Sequence, residues 1–422
     1  MPLWAMGPFA LLLLGVAVLP LLAPHWWHAN RNKAIVSTGL GLPVAVFVAF
    51  LDASLLGHAA LEYLAFVCLL GSLYVISGGV RVSGSLAGTP MANTALLALG
   101  ALLANLIGTT GAAMLLIRPF LRANQGRASR VHLVVFFIFI VANCGGCLTP
   151  LGDPPLFLGF LRGVPFEWTF RLWKEWLAVV ALLLAIFCLY DRRAFRREVV
   201  PSPANLGEVL ERRQPVRLQG SANLLLLLGV IGVVLASGFW VYPRLGETAS
   251  LVLQSLAMAA LAGVSLRITP RQIREWNGFS WHPFVEVAVL FAGIFAAMIP
   301  ALAILRTRGA SLGVTEPWQY FWATGSLSSF LDNAPTYLAF LSLAQHLPDE
   351  VAGTTHAALA AISLGAVFFG AMTYIGNGPN FMVKAIAEEA GVRMPSFFGF
   401  LGWSLAVFLP IFVALTLLSL KG

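Results

Sequence analysis

The chain has 422 residues, 59% of them hydrophobic and only 10% charged, with a formal net charge of +8 and a mean hydropathy of +0.85. So little charge cannot cover a water-soluble protein of this length, and apolar stretches long enough to span a bilayer recur along it. The positive excess lies in short loops between those stretches, where it orients a multi-pass inner-membrane protein and gives no reason to expect nucleic acid.

Spans are predicted at 8–23, 33–52 and 58–80, then at 131–162 and 169–190. Met1–Pro20 has no basic leader and reads as the first span. Segment 91–122 is too long for one crossing and has a Gly-Thr-Thr-Gly centre at 108–111, so a re-entrant hairpin is expected. Segment 191–221 is polar and carries Arg192, Arg193, Arg196, Arg197, Arg212, Arg213 and Arg217. It reads as a cytoplasmic linker.

Beyond it, spans are predicted at 222–241, 247–266, 283–304, 356–390 and 396–420, with a second hairpin at 317–346. The expected fold is an all-α polytopic membrane protein of two repeats, 1–190 and 222–422, each of five transmembrane helices plus one re-entrant hairpin. Five crossings per repeat make the second inverted relative to the first. With the linker inside and both termini outside, most lysines and arginines fall inside, Lys421 being among the exceptions.

The halves overlay directly. TPLGDPPLFL (149–158) matches TYIGNGPNFM (373–382) at an offset of 224 (373 − 149). The same offset sets Glu62 on Glu286 and Gly108–Gly111 on Asp332–Pro335. Gly and Pro interrupt helices and free backbone polar groups, which at membrane depth need partners. Half-helix N-termini favour anions and unwound carbonyls favour cations, so paired broken helices beside hairpin tips form a transport site.

Asp153, in the first break, either contacts a cation or proton or caps the half-helix starting at Pro154. Asp332, at the second hairpin tip beside Asn333, has the same two readings. Neutral oxygens in these segments come from Asn143, Thr109, Thr110, Thr149, Thr336, Thr373, Asn377 and Asn380, which suit a hard cation such as Na+ or serve as interhelical bonds. Glu62 and Glu286 lie near span ends and reach either the interface or a transport path. Cys144 and Cys147 form CGGC in a Gly-rich run; with Cys68 and Cys188 also in apolar segments there is no disulfide framework, and packing is the expected role. Lys384, followed by Glu388 and Glu389, is expected at the cytoplasmic interface. There is no ATP-binding signature and no alternating strand pattern, leaving a transporter driven by ion gradients.

ANCGGCLTPLGDPPLFL (142–158) resembles the Asn-x-Gly-Gly…Gly-Asp-Pro-Pro segment of the ion transporter superfamily, and SSFLDNAPT (328–336) its Ser-x-x-x-Asp-Asn-x-Pro segment. The nearest members are the NhaD-type Na+/H+ antiporters, with arsenite permeases and citrate-metal symporters as relatives. The resemblance implies elevator-like alternating access, often a dimer, Asp153 and Asp332 as Na+- and proton-linked carboxylates, and Asn143 and Asn333 beside them. The CGGC cysteines depart from the small residues expected there and leave arsenite export open. The first expectation is therefore Na+ (or Li+)/H+ antiport, with no resident cofactor. An ion-coupled carboxylate or oxyanion transporter is the alternative; the partners expected are lipid and a small ion.

Overall fold

The computed structural model describes residues 1–83, 88–198 and 217–420. Arg212, Arg213 and Lys421 lie outside these. The described chain is helical, apart from one short antiparallel ribbon that pairs β1 (Arg81–Ser83) with β2 (Arg217–Gln219). Its eight long apolar helical stretches make it an all-α polytopic membrane protein.

α1 (Gly7–Leu22), α2 (Asn30–Leu51) and α3 (Ala53–Ser77) match the first three predicted spans. α8 (Ala222–Ala236) and α9 (Tyr242–Ile268) form an antiparallel pair, Ser237 meeting Ser250 at 2.6 Å between hydroxyls. The chain turns at Gly246, φ +79°, a non-helical break inside the Tyr242–Ile268 stretch. α10 (His282–Arg308) packs on α2 and α3. Small residues let these backbones touch: a Cβ on Gly41 would lie 2.7 Å from Cα of Gly293. Ser37 adds an Oγ bond to the Val289 carbonyl, and Phe66 stacks on Phe291 at 4.7 Å.

The remaining helices enclose the functional centre. α4 (Pro90–Ala123) is a hairpin, broken at Gly108 by φ +76° and ψ 155°. A Cβ on Gly100 would reach Leu116 at 3.1 Å, so the arms lie side by side, and Asn93 and Asn124 exchange two 2.9 Å side-chain bonds across its open end. α11 (Pro317–Ser328) and α12 (Asn333–Ala344) are the arms of the second hairpin. A capping box of Glu316 and Gln319 starts α11.

Each predicted broken span is two helices. α5 (Val131–Ile140) and α6 (Pro154–Leu161) make the first; α13 (His356–Phe369) and α14 (Gly378–Glu389) make the second. In both breaks the chain crosses itself at glycines. A Cβ on Gly152 would lie 2.1 Å from the Gly146 carbonyl oxygen, and one on Gly376 2.7 Å from that of Gly370. Only glycine fits so close an approach. The polar bonds repeat too: Thr149 donates to the Asn105 carbonyl and Thr373 to that of Ser329. Each partner stands 224 residues from its counterpart (329 − 105, 373 − 149).

α7 (Trp173–Glu198) and α15 (Phe397–Ser419) flank this group. α7 extends from the first repeat into the predicted linker segment. It continues past residue 190, because Asp191 is buried against Arg127, His132 and Asn93, with Arg127 also binding Glu198. Arg192, Arg193, Arg196 and Arg197 are therefore helical.

Candidate functional site

Four helix starts converge on one carboxylate. Asp153 precedes α6 but makes no capping bond to it. Its oxygens turn instead to the other three segments. Oδ1 accepts from Thr109 Oγ1 at 2.9 Å and from Asn377 Nδ2 at 3.1 Å; Oδ2 accepts from Asn333 Nδ2 at 2.6 Å. Thr109 opens the second arm of α4, Asn333 is the first residue of α12, and Asn377 precedes α14. Asp153 is buried, so it is held by donors in place of water.

An asparagine relay extends this centre. Asn377 Nδ2 also donates to Asn143 Oδ1 (3.1 Å), and Asn143 Nδ2 to Asn380 Oδ1 (2.7 Å). Asn380 in turn ties down the carbonyls of Gly370 and Thr373, exposed by the break. Its role is thus partly to satisfy unwound backbone.

Asp332 differs from Asp153. Its Oδ1 accepts from Ala334 N–H at 3.1 Å, an N-cap on α12, and it is only partly buried. Thr336 bonds back to the Asp332 carbonyl, while Thr149 and Thr373 bond hairpin carbonyls. Those three hydroxyls hold backbone. Thr110 faces the cavity described next.

A cavity of about 420 Å³ reaches this centre, with Thr109, Thr110, Asp153, Asp332 and Asn377 on its wall. Its wall also carries Lys33, Arg118, Glu286 and Glu389. Lys33 is buried and pairs with Glu286 at 2.8 Å. Lys33 and Arg118 thus bring positive charge to the cavity wall. They were missed because they reach the cavity from α2 and from the far arm of α4, which no motif marks. Glu62 lies elsewhere, paired with Arg162 at 2.8 Å.

Cys144 and Cys147 are free, fully buried and absent from the cavity wall. Lys384 pairs with Glu388 and lies over the rings of Tyr374 and Phe381. Asn105 is a position the motifs did not mark. It accepts the Leu148 N–H through Oδ1 and the Thr149 hydroxyl through its carbonyl, locking α4 to the first break. Its signal was the 224-residue offset, which sets it on Ser329.

Two hairpins and two broken helices around a charged cavity define a polytopic membrane transporter. Comparison with known proteins carries this further. Residues 1–420 match the family described as "Putative citrate transport", and the chain belongs to that family. It is similar to the "Uncharacterized transporter Rv2684" of Mycobacterium tuberculosis, 27% identical over 325 residues, covering 72% of this chain and 71% of that protein. It is also similar to a "46 kDa membrane protein" of Mycobacterium leprae, 25% identical over 282 residues. That match covers 63% of this chain and 62% of the relative, so less than two thirds of that relative's length is spanned.

Proposed function

We propose that this chain is a cation-coupled secondary transporter of a small carboxylate, of the di- or tricarboxylate class, working by alternating access. The observation that carries the reading is the convergence of four helix starts on Asp153. Each helix N-terminus is worth about half a positive charge, so four supply roughly +2. Asp153 and Asp332 oppose that with two carboxylates. A centre so balanced takes up an anion most readily together with a cation. The cavity of about 420 Å³ falls within the range of about 300–1,000 Å³ usual for small organic ligands, and a bare ion needs far less. The family description points the same way.

In this reading 1–190 and 222–422 are inverted repeats, the region between them is cytoplasmic and both termini are outside. The cavity wall at Arg118 and the exposed Glu389 then lies toward the cytoplasm, an inward-open state. The helices α1–α3 and α8–α10 form the scaffold against which the two hairpins and broken helices move, in an inner membrane and as a homodimer. Asp153 carries the coupling cation or proton.

A second reading, Na+ (or Li+)/H+ antiport, is favoured by the two acids on one cavity wall. Proteoliposomes separate the two. Labelled citrate or dicarboxylate uptake, driven by an imposed pH, Na+ or Mg2+ gradient and lost in Asp153→Asn, is the expected result. Collapse of a pH gradient by Na+ with no uptake of any carboxylate would overturn the first reading in favour of the second.

A further inference from the structure

Beyond this site, a second cluster of ligating side chains lies at the other end of α3. His58, Glu62 and Glu247 each offer one ligand atom, all within 4.8 Å of one another. Leu69, the first α3 residue on the main cavity wall, is seven residues past Glu62, about 10 Å along the helix axis, and none of His58, Glu62 and Glu247 is on that wall. The cluster is thus separate from the Asp153 centre.

Its contacts lie within ion-pair range, but one ring nitrogen is shared between two carboxylates. His58 Nε2 stands 3.3 Å from Glu62 Oε1 and 3.4 Å from Glu247 Oε1. One ring N–H cannot align with two acceptors. Glu62 Oε1 in fact has no hydrogen-bond partner among the described residues, although Glu62 is only 1% exposed. A buried carboxylate oxygen without a donor is costly. Its other oxygen is already held by Arg162 at 2.8 Å, so Oε1 is fixed in direction and aimed at His58 and Glu247.

The spacing fits a metal ion. Nitrogen and oxygen ligands at about 2.0–2.1 Å from a tetrahedral Zn2+ lie about 3.3–3.4 Å from each other. Both measured separations from His58 match that edge. We propose that His58, Glu62 and Glu247 bind a divalent transition metal of the Zn2+ class, with at least one coordination position left open. Imidazole selects such an ion over Mg2+ or Ca2+, which take oxygen ligands. Arg162 supports the site from behind by orienting Glu62. His58 and Glu247 are each about two-fifths exposed, giving the ion a way in. Because Arg162 follows α6 while His58 and Glu247 belong to α3 and α9, a bound ion would bear on the contact between a broken helix and the outer helices.

The test is Zn2+ titration of the purified, metal-stripped full chain in detergent, read by calorimetry and by thermal shift. His58→Gln and Glu247→Gln are the diagnostic variants; Glu62→Gln is avoided because it strands Arg162 and risks misfolding. One Zn2+ per chain with a rise in Tm, weakened at least tenfold in both variants, unchanged in His282→Gln and not displaced by equimolar Mg2+, is expected. No Zn2+ binding by the parent chain, or binding by His58→Gln and Glu247→Gln as tight as that of the parent, would overturn the proposal.

Discussion

Asn377 donates through Nδ2 to Oδ1 of Asp153 at 3.1 Å, and the two residues are each other's counterparts across the 224-residue repeat (377 − 153). The two breaks therefore meet at equivalent positions, one an acid and one its amide. Two acids there would repel each other in a buried setting, whereas acid and amide form a bond. The asymmetry between the halves follows from that single contact.

Asp153→Asn tests it. The substitution keeps the shape but sets an amide against the donors of Thr109, Asn333 and Asn377. The protein should fold, and transport in proteoliposomes should be lost. Asp153→Ala should also lower stability by at least about 3 kcal/mol, since hydrogen bonds to a charged group contribute about 1.5–3 kcal/mol each. Thermal melting in detergent would read this. A melting temperature unchanged in the alanine variant would show that the three bonds are not formed.

Asp332 calls for a different pair of substitutions, because it caps α12 through Ala334 N–H. Asparagine caps about as well as aspartate, while alanine costs about 1 kcal/mol. Asp332→Asn should leave melting unchanged, and Asp332→Ala should lower it. If transport falls in both, the charge matters to function; if only in the alanine variant, the cap is the whole role.

Much of this centre was legible in the chain, for physical reasons. Gly and Pro at 152–155 and 376–379 break helices wherever they occur, so the breaks and their offset could be read directly. The hairpins followed from length and from Gly108 and Pro335. Which way the side chains point was not legible. Asp153 and Asp332 look alike as helix-start acids, and only folding shows that one leaves its own helix for three others while the second caps. Long-range pairs were hidden too. Asp191 joins Asn93, Arg127 and His132, and Lys33 meets Glu286, without any shared motif.

The glycines at the self-crossings should tolerate substitution poorly. Gly152→Ala sets a methyl 2.1 Å from the Gly146 carbonyl oxygen; Gly376→Ala sets one 2.7 Å from that of Gly370. Both contacts are with backbone, which has little room to move. Overpacking typically costs about 1–3 kcal/mol. Both variants should melt lower than the parent, Gly152→Ala by more. The reverse order would mean that the first break relaxes more easily than its carbonyl geometry allows.

Cys144 and Cys147 decide whether the thiols take part in transport. Both are buried, unpaired and off the cavity wall, in a run where Gly145 packs against Ala101. A thiol must be reached to bind arsenite or a maleimide. The double variant Cys144→Ala, Cys147→Ala should therefore keep carboxylate uptake, with a modest fall in Tm from the volume lost. In the folded parent chain, a membrane-permeant maleimide should label neither position, as mass spectrometry of tryptic peptides can show. Labelling of either cysteine during turnover, together with loss of uptake in the double variant, would move the thiols from packing into the transport path and make arsenite the substrate to test next.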